Sequence, residues 1–228
     1  IKSNLIDFAK EYFGVSESSI KFEDSTLVVG KKQIPFNEFI MLAYLNRVEL
    51  FSNGFYKTPK IHFDLVKQKG RPFFYYSYGA CVSEVIVDCL TGEYKLLGVD
   101  ILHDVGASIN PAIDTGQIVG GYIQGMGWLC SEELKWSDSG VLLTTGASTY
   151  KIPAIGDTPE HFEVKIKPNI SNHENTIHKS KAVGEPPLML AISTWLSIKN
   201  AIYNADKENI SGLNAPASFE QVFFSLNK

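Results

Sequence analysis

Cysteine is scarce. Cys81, Cys89 and Cys130 are the only three in 228 residues, and no two stand as Cys-x-x-Cys. An odd, sparse set argues against a disulfide framework and for reduced thiols in a cytoplasmic protein. Buried small side chains are their simplest use. Long apolar runs are missing too: each hydrophobic stretch breaks off short of the length that crosses a bilayer. The opening residues do not follow a secretory leader pattern. Neither charge dominates. Lys+Arg 21 against Asp+Glu 25 leaves a net charge of -4 and a pI ≈ 5.8, so no nucleic-acid or anionic-membrane partner is implied. Several catalytic signatures are also absent. There is no Gly-x-Ser-x-Gly elbow and no Gly-rich loop ending in Gly-Lys-Ser/Thr. The five histidines make no His-Glu-x-x-His or closely paired ligand set.

What is present reads as an ordinary globular chain, 44% hydrophobic and 20% charged, long enough for one large domain or two small ones. Ile1 stands where an initiator methionine would, which leads us to expect a piece of a longer chain. Residues 3–13 have helical apolar spacing (Leu5, Phe8, Ala9, Phe13) with Gly14 as a stop. Residues 20–34 read as a hairpin, Ile20–Phe22 and Thr26–Val29, with a turn at Gly30-Lys31-Lys32. Residues 36–46 read as a second helix. From about Asn53 the texture changes. Phe73–Asp88 and Tyr94–Val105 are β-rich runs joined by Leu90-Thr91-Gly92-Glu93, and Val85-Ile86-Val87 suggests a sheet partly covered on both faces. The aromatic run 73–78 carries no interleaved basic residues and reads as core strand. Pro111–Cys130 and Pro187–Ala205 read as helices, 141–152 and 162–166 as strands. Ser218-Phe219-Glu220-Gln221 reads as a capping box before a last helix. The expected class is α+β, mixed sheets with packed helices, divided into a helix-hairpin-helix segment at 1–50 and a larger part at 51–228.

Two segments carry the candidate chemistry. In Gly116–Gly127 five glycines stand within a helix, each costing about 1 kcal/mol relative to alanine. Gly116/Gly120 and Gly121/Gly125 are spaced by four, so each pair shares a face. Such a face suits close helix packing, or a flat cofactor beside it with Gln117 as an amide that donates and accepts. A dinucleotide fingerprint does not fit, because the third glycine position falls on Cys130 and no strand feeds the motif. The second segment is Lys181-Ala182-Val183-Gly184-Glu185-Pro186-Pro187. Two prolines suit a first helical turn, and the residue before proline is pushed towards extended backbone. As an N-cap, Glu185 would find no N–H on Pro187 and only Leu188 as donor, a poor cap. The other reading is a general base, its pKa raised by burial in a dry pocket. Gly184 permits a tight bend or a close approach.

Five runs occur in one order: Gly54-Phe55-Tyr56-Lys57-Thr58-Pro59, Phe74–Gly79, Ser108–Gln117, Ser148–Pro153 and Ser180–Leu188. In that order they resemble the xanthine dehydrogenases and their aldehyde oxidase relatives, the molybdenum hydroxylases. Asp100–Gly106 looks most like the bacterial xanthine dehydrogenase large subunit. The likeness runs from about Gly54 to Ala201 and is loose over 1–50.

The resemblance implies the C-terminal part of a molybdopterin-binding domain. It implies purine hydroxylation, hypoxanthine or xanthine to urate, with water-derived oxygen at a molybdenum-molybdopterin centre. Glu185 would be the general base. Gln117, Gly184 and Lys181 would lie on the cofactor, the role of Lys181 unassigned, and no residue here would ligate the metal. FAD and 2Fe-2S clusters are expected elsewhere, in partner domains or subunits of an oligomer, as is the remainder of the molybdenum domain. By itself this stretch is expected to be inactive and metal-free. The alternatives are an aldehyde oxidase-type hydroxylase, or a non-catalytic module that uses the glycine helix as an interface.

Overall fold

Helical apolar spacing opens the chain. In the computed structural model, which describes residues 1–205 and 212–227, helix α1 (Lys2–Phe13) turns Leu5 and Ala9 inward. It ends on Gly14 at φ 63, whose N–H donates to the Lys10 carbonyl. Only glycine enters that left-handed region without a steric cost. Strands β1 (Ile20–Glu23), β2 (Thr26–Val29) and β3 (Lys32–Pro35) follow as an antiparallel sheet, three strands where the sequence suggests two. The first turn is Asp24-Ser25, both at positive φ, a pair without the Asn-Gly or Asp-Gly signature of tight hairpins. Helix α2 (Phe36–Leu45) closes this unit on a core of Leu5, Ala9, Leu27, Phe39 and Ala43. The chain divides into units Ile1–Pro59 and Lys60–Lys228, where the sequence reading divides it at 50.

The second unit begins with a short ribbon, β4 (His62–Asp64) against β5 (Lys69–Arg71). Its main sheet has three strands. β6 (Gly79–Val87) and β7 (Tyr94–His103) form the expected hairpin, closed by Gly92 at φ 77. After β7, helix α3 (Pro111–Cys130) crosses to β8 (His161–Ile166), which pairs parallel to β7. Helices α4 (Ile192–Ala205) and α5 (Phe219–Leu226) follow, α5 capped by Ser218 accepting from the Gln221 N–H. The core lies between the sheet and the helices: Val99, Ile101, Ile118, Tyr122, Ala191, Ile198 and Ile202. Each such aliphatic side chain stabilises the fold by about 1.5–3 kcal/mol. No helix among the described residues is long and apolar enough to cross a membrane.

Four expectations are corrected. Among the described residues the sheet is covered on one face: β6 alternates, and Val82 (70% exposed) and Ile86 (58%) face outward. The aromatic run is loop, with only Phe74 buried, because β6 starts at Gly79. Residues 141–152 form turns with a single bridge, Trp136 to Leu142. The turn at Ser137–Val141 and the Gly146–Tyr150 turn take up the backbone groups a ladder would need. Finally, the helix expected from Pro187 starts as a 3-10 turn, Pro186–Ala191, before α4, opened by the i→i+3 bond from the Leu188 N–H to the Glu185 carbonyl.

Candidate active site

At the end of β7 the backbone turns sharply. Asp104 accepts the Gly106 N–H on Oδ1 at 2.8 Å, and Gly106 takes φ 64. A Cβ there would come within 2.6 Å of the Lys179 carbonyl. That tight corner lets the segment before Glu185 dock beside it through one isolated bridge. Gly106 bridges Ser180, Lys181 N–H donates to the Val105 carbonyl at 2.9 Å, and Ala107 N–H donates to the Lys179 carbonyl at 3.0 Å.

Behind this docked segment Lys181 is turned inward. Its Nζ donates to Asp104 Oδ2 at 2.6 Å and to the Tyr76 carbonyl at 2.9 Å, and it lies 5.2 Å from the centre of the Tyr78 ring. The two charged side chains are only 6% and 8% exposed. Burial pushes the Asp104 carboxyl up, but the hydrogen bonds from Lys181 and Gly106 prevail and hold it below the usual carboxylate range. Lys181 was expected on the cofactor; its ammonium is spent instead on the protein behind the turn. Ala182 is held at both ends: its N–H donates to the Tyr75 hydroxyl at 2.8 Å, and its carbonyl accepts from Ser77 Oγ at 3.0 Å. Sequence reasoning missed Asp104, Tyr75 and Ser77. All three fall in runs that carry the family resemblance, but no local pattern gives their roles, since the partners stand 77, 107 and 105 positions away.

Past Val183 the chain emerges. Gly184 and Glu185 are exposed. Glu185 makes no side-chain cap, as the missing Pro187 N–H requires. Its backbone differs from the expected extended form, at φ -103 and ψ -25. The 3-10 turn explains this, because the Glu185 carbonyl accepts the Leu188 N–H at 3.0 Å and draws the residue into the helical basin. Burial in a dry pocket is not supplied by the described residues.

Helix α3 decides between the two uses of its glycines by face. A Cβ at Gly121 would stand 3.2 Å from both the Gly184 carbonyl and Pro187, and one at Gly125 would overlap the Leu188 carbonyl. This pair exists for packing against the turn that carries Glu185. At Gly116 and Gly120 a Cβ would meet nothing within 4 Å. That second face is open, and the exposed Gln117 lies beside it, its Oε1 3.7 Å from where a Gly184 Cβ would be. The helix starts cleanly: Asn110 accepts from the Ala112 and Ile113 N–H groups, and Ser108 donates to Asp114. Gln117, Gly184 and Glu185 thus gather on one exposed corner.

Residues 1–159 match the molybdopterin cofactor-binding domain family. The chain belongs to this family of molybdenum hydroxylases. It is 46% identical over 198 residues to a xanthine dehydrogenase of Oryza sativa subsp. japonica, covering 82% of this chain and 14% of that protein. It is 46% identical over 202 residues to the xanthine dehydrogenase/oxidase of Felis catus, 84% of this chain and 15% of the relative. The chain therefore spans 14–15% of the length of these curated relatives. Among solved structures, quinoline 2-oxidoreductase from Pseudomonas putida 86 matches with a TM-score of 0.65 at 21% identity, over 100% of this chain and 28% of that one. At that identity the likeness concerns the fold. The open glycine face fits a molybdenum hydroxylase: a flat pterin can reach the α3 backbone where side chains are absent, with the Gln117 amide at hand to donate and accept.

Proposed function

We propose that the chain is the C-terminal part of a xanthine dehydrogenase molybdenum domain and contributes the general base, Glu185, to hydroxylation of purines with water-derived oxygen. The observation that carries this is the corner itself: a carboxylate held at the exposed end of a pinned segment, beside Gln117 and the uncovered face of α3. The bound molybdenum-pterin group supplies the redox chemistry and activates the oxygen source. The residues of the chain bind and orient. Gln117 would offer donor and acceptor to the pterin, Gly116 and Gly120 would let it approach, and Gly184 leaves the space next to Gln117 free. Glu185 takes up the proton at a carboxylate oxygen. Its carbonyl accepts the Leu188 N–H of the 3-10 turn, which holds its backbone. Closing polypeptide from the rest of the molybdenum domain would dry the corner and raise the proton affinity of the carboxylate. Turnover is then a property of the whole oligomeric cytoplasmic enzyme in purine catabolism, with FAD and 2Fe-2S clusters on partner domains, and the 228 residues alone are inactive.

The test is Glu185→Ala and Glu185→Gln in the whole protein. Xanthine turnover per bound molybdenum is expected to fall by about 10²–10⁴-fold, the usual contribution of a positioned base, at unchanged molybdenum content. Turnover near that of the unaltered enzyme would sink the assignment.

A further inference from the structure

The ion pair beneath the turn is buried on both sides, and burying it has a cost. Taking an ammonium and a carboxylate out of water disfavours both, and a well-packed apolar pair serves stability alone as well or better. Lys181 and Asp104 join two segments 77 positions apart. Asp104 is fixed from one side by Gly106 and by its own N–H, which donates to the Tyr78 carbonyl at 2.8 Å. Lys181 is fixed by Asp104, the Tyr76 carbonyl and the Tyr78 ring. Three residues on stands Gly184, then Glu185, with Ala182 in between held by the Tyr75 and Ser77 side chains and Val183 buried. A directional hydrogen-bonded pair fixes register where an apolar pair would let the segment slide.

We infer that Lys181 and Asp104 are positioning residues for Glu185: their buried hydrogen-bonded pair sets the height at which the 182–185 segment leaves its contact with residues 105–107, and so the distance from the carboxylate to the reacting centre. This rests on Glu185 being the base. Lys181 Nζ is directed to Asp104, the Tyr76 carbonyl and the Tyr78 ring. The pair acts through the backbone of Ala182 and Val183, whose position the Tyr75 and Ser77 bonds share.

The experiment compares Lys181→Met, Lys181→Arg and Asp104→Asn in the whole protein. It measures kcat per bound molybdenum, KM for xanthine, and amide hydrogen exchange across 180–188. Lys181→Met is expected to lower kcat about 100-fold, the scale of a displacement near 1 Å, with KM changed less than about twofold. It is also expected to speed exchange at the Lys181 and Ala182 amides, and Lys181→Arg should restore part of both. If Lys181→Met does not accumulate, Asp104→Asn keeps the shape, removes the charge and carries the same readouts. Loss confined to melting temperature or molybdenum content, with kcat per molybdenum unchanged, overturns the inference, and so does unchanged exchange. Glu185→Gln run alongside separates the two readings. Normal turnover there removes the base assignment. Lost turnover there with normal kcat in Lys181→Met removes only the positioning role.

Discussion

At the scale of single residues, His103 is the clearest source of testable energetics. It ends β7 next to the buried pair, 1% exposed, and its Nδ1 meets no partner among the described residues. Burial pulls its pKa below the ordinary histidine value, against the opposing pull of Asp104. The sign follows directly. The unfolded chain takes up a proton near pH 6.5, while the folded chain resists it until lower pH. Stability is therefore full above about pH 6.5 and declines as pH falls towards the folded value. His103→Leu is expected to stabilise the protein by about 1 kcal/mol at neutral pH, since an unpaired buried polar group is removed, and to flatten the slope below about pH 6.5. Urea melts across that range check it; an unchanged slope would show that His103 is not the titrating group.

At the scale of elements, the two glycine faces of α3 predict opposite responses. Gly125→Ala places a methyl group against the Leu188 carbonyl and within 2.9 Å of Ala191. Backbone cannot yield cheaply, so overpacking by about 1–3 kcal/mol outweighs the helix-propensity gain of about 1 kcal/mol. Gly120→Ala meets no atom within 4 Å and is expected to stabilise by about 1 kcal/mol, while lowering molybdenum content if the pterin lies there. Thermal melts and metal analysis of both variants decide it. The sequence made much of this helix legible. Its bounds, the two glycine pairs and Gln117 could be read from spacing alone. Which pair packs and which stays open could not, because that depends on where residues 184–191 return after a crossover of more than sixty positions. The same holds for Glu185. The prolines announced a restricted residue, but its helical φ and ψ come from the bond to Leu188 that the 3-10 turn creates, a preference the pre-proline rule alone opposes.

At the scale of the whole molecule, acid sensitivity concentrates in one unit. Asp104, Glu160 and Glu174 are drawn below the usual carboxylate range, all within Lys60–Lys228. For Asp104 burial opposes the shift and the Lys181 and Gly106 bonds with the nearby lysine charges together outweigh it, whereas Glu160 is lowered by its bond to Lys95 and Glu174 by its bonds to Lys60 and Arg71. The surface pairs are screened and contribute little. A depressed carboxylate stabilises fully above its unfolded pKa and loses that contribution as pH falls through the folded value, so the second unit should weaken below about pH 4. All three tryptophans, Trp128, Trp136 and Trp195, lie in that unit, so intrinsic fluorescence during acid titration follows it alone. Asp104→Asn should shift the acid midpoint, and a midpoint that does not move would assign the transition to other groups. Two prolines bear on the molecule in a different currency. A mobile loop would have to be ordered each time a ligand arrived, at about 1–2 kcal/mol of backbone entropy per residue. With Pro186 and Pro187 locked and the Glu185 carbonyl already bonded to Leu188, that ordering is completed during folding. What binds at this corner then meets a backbone with little freedom left to lose.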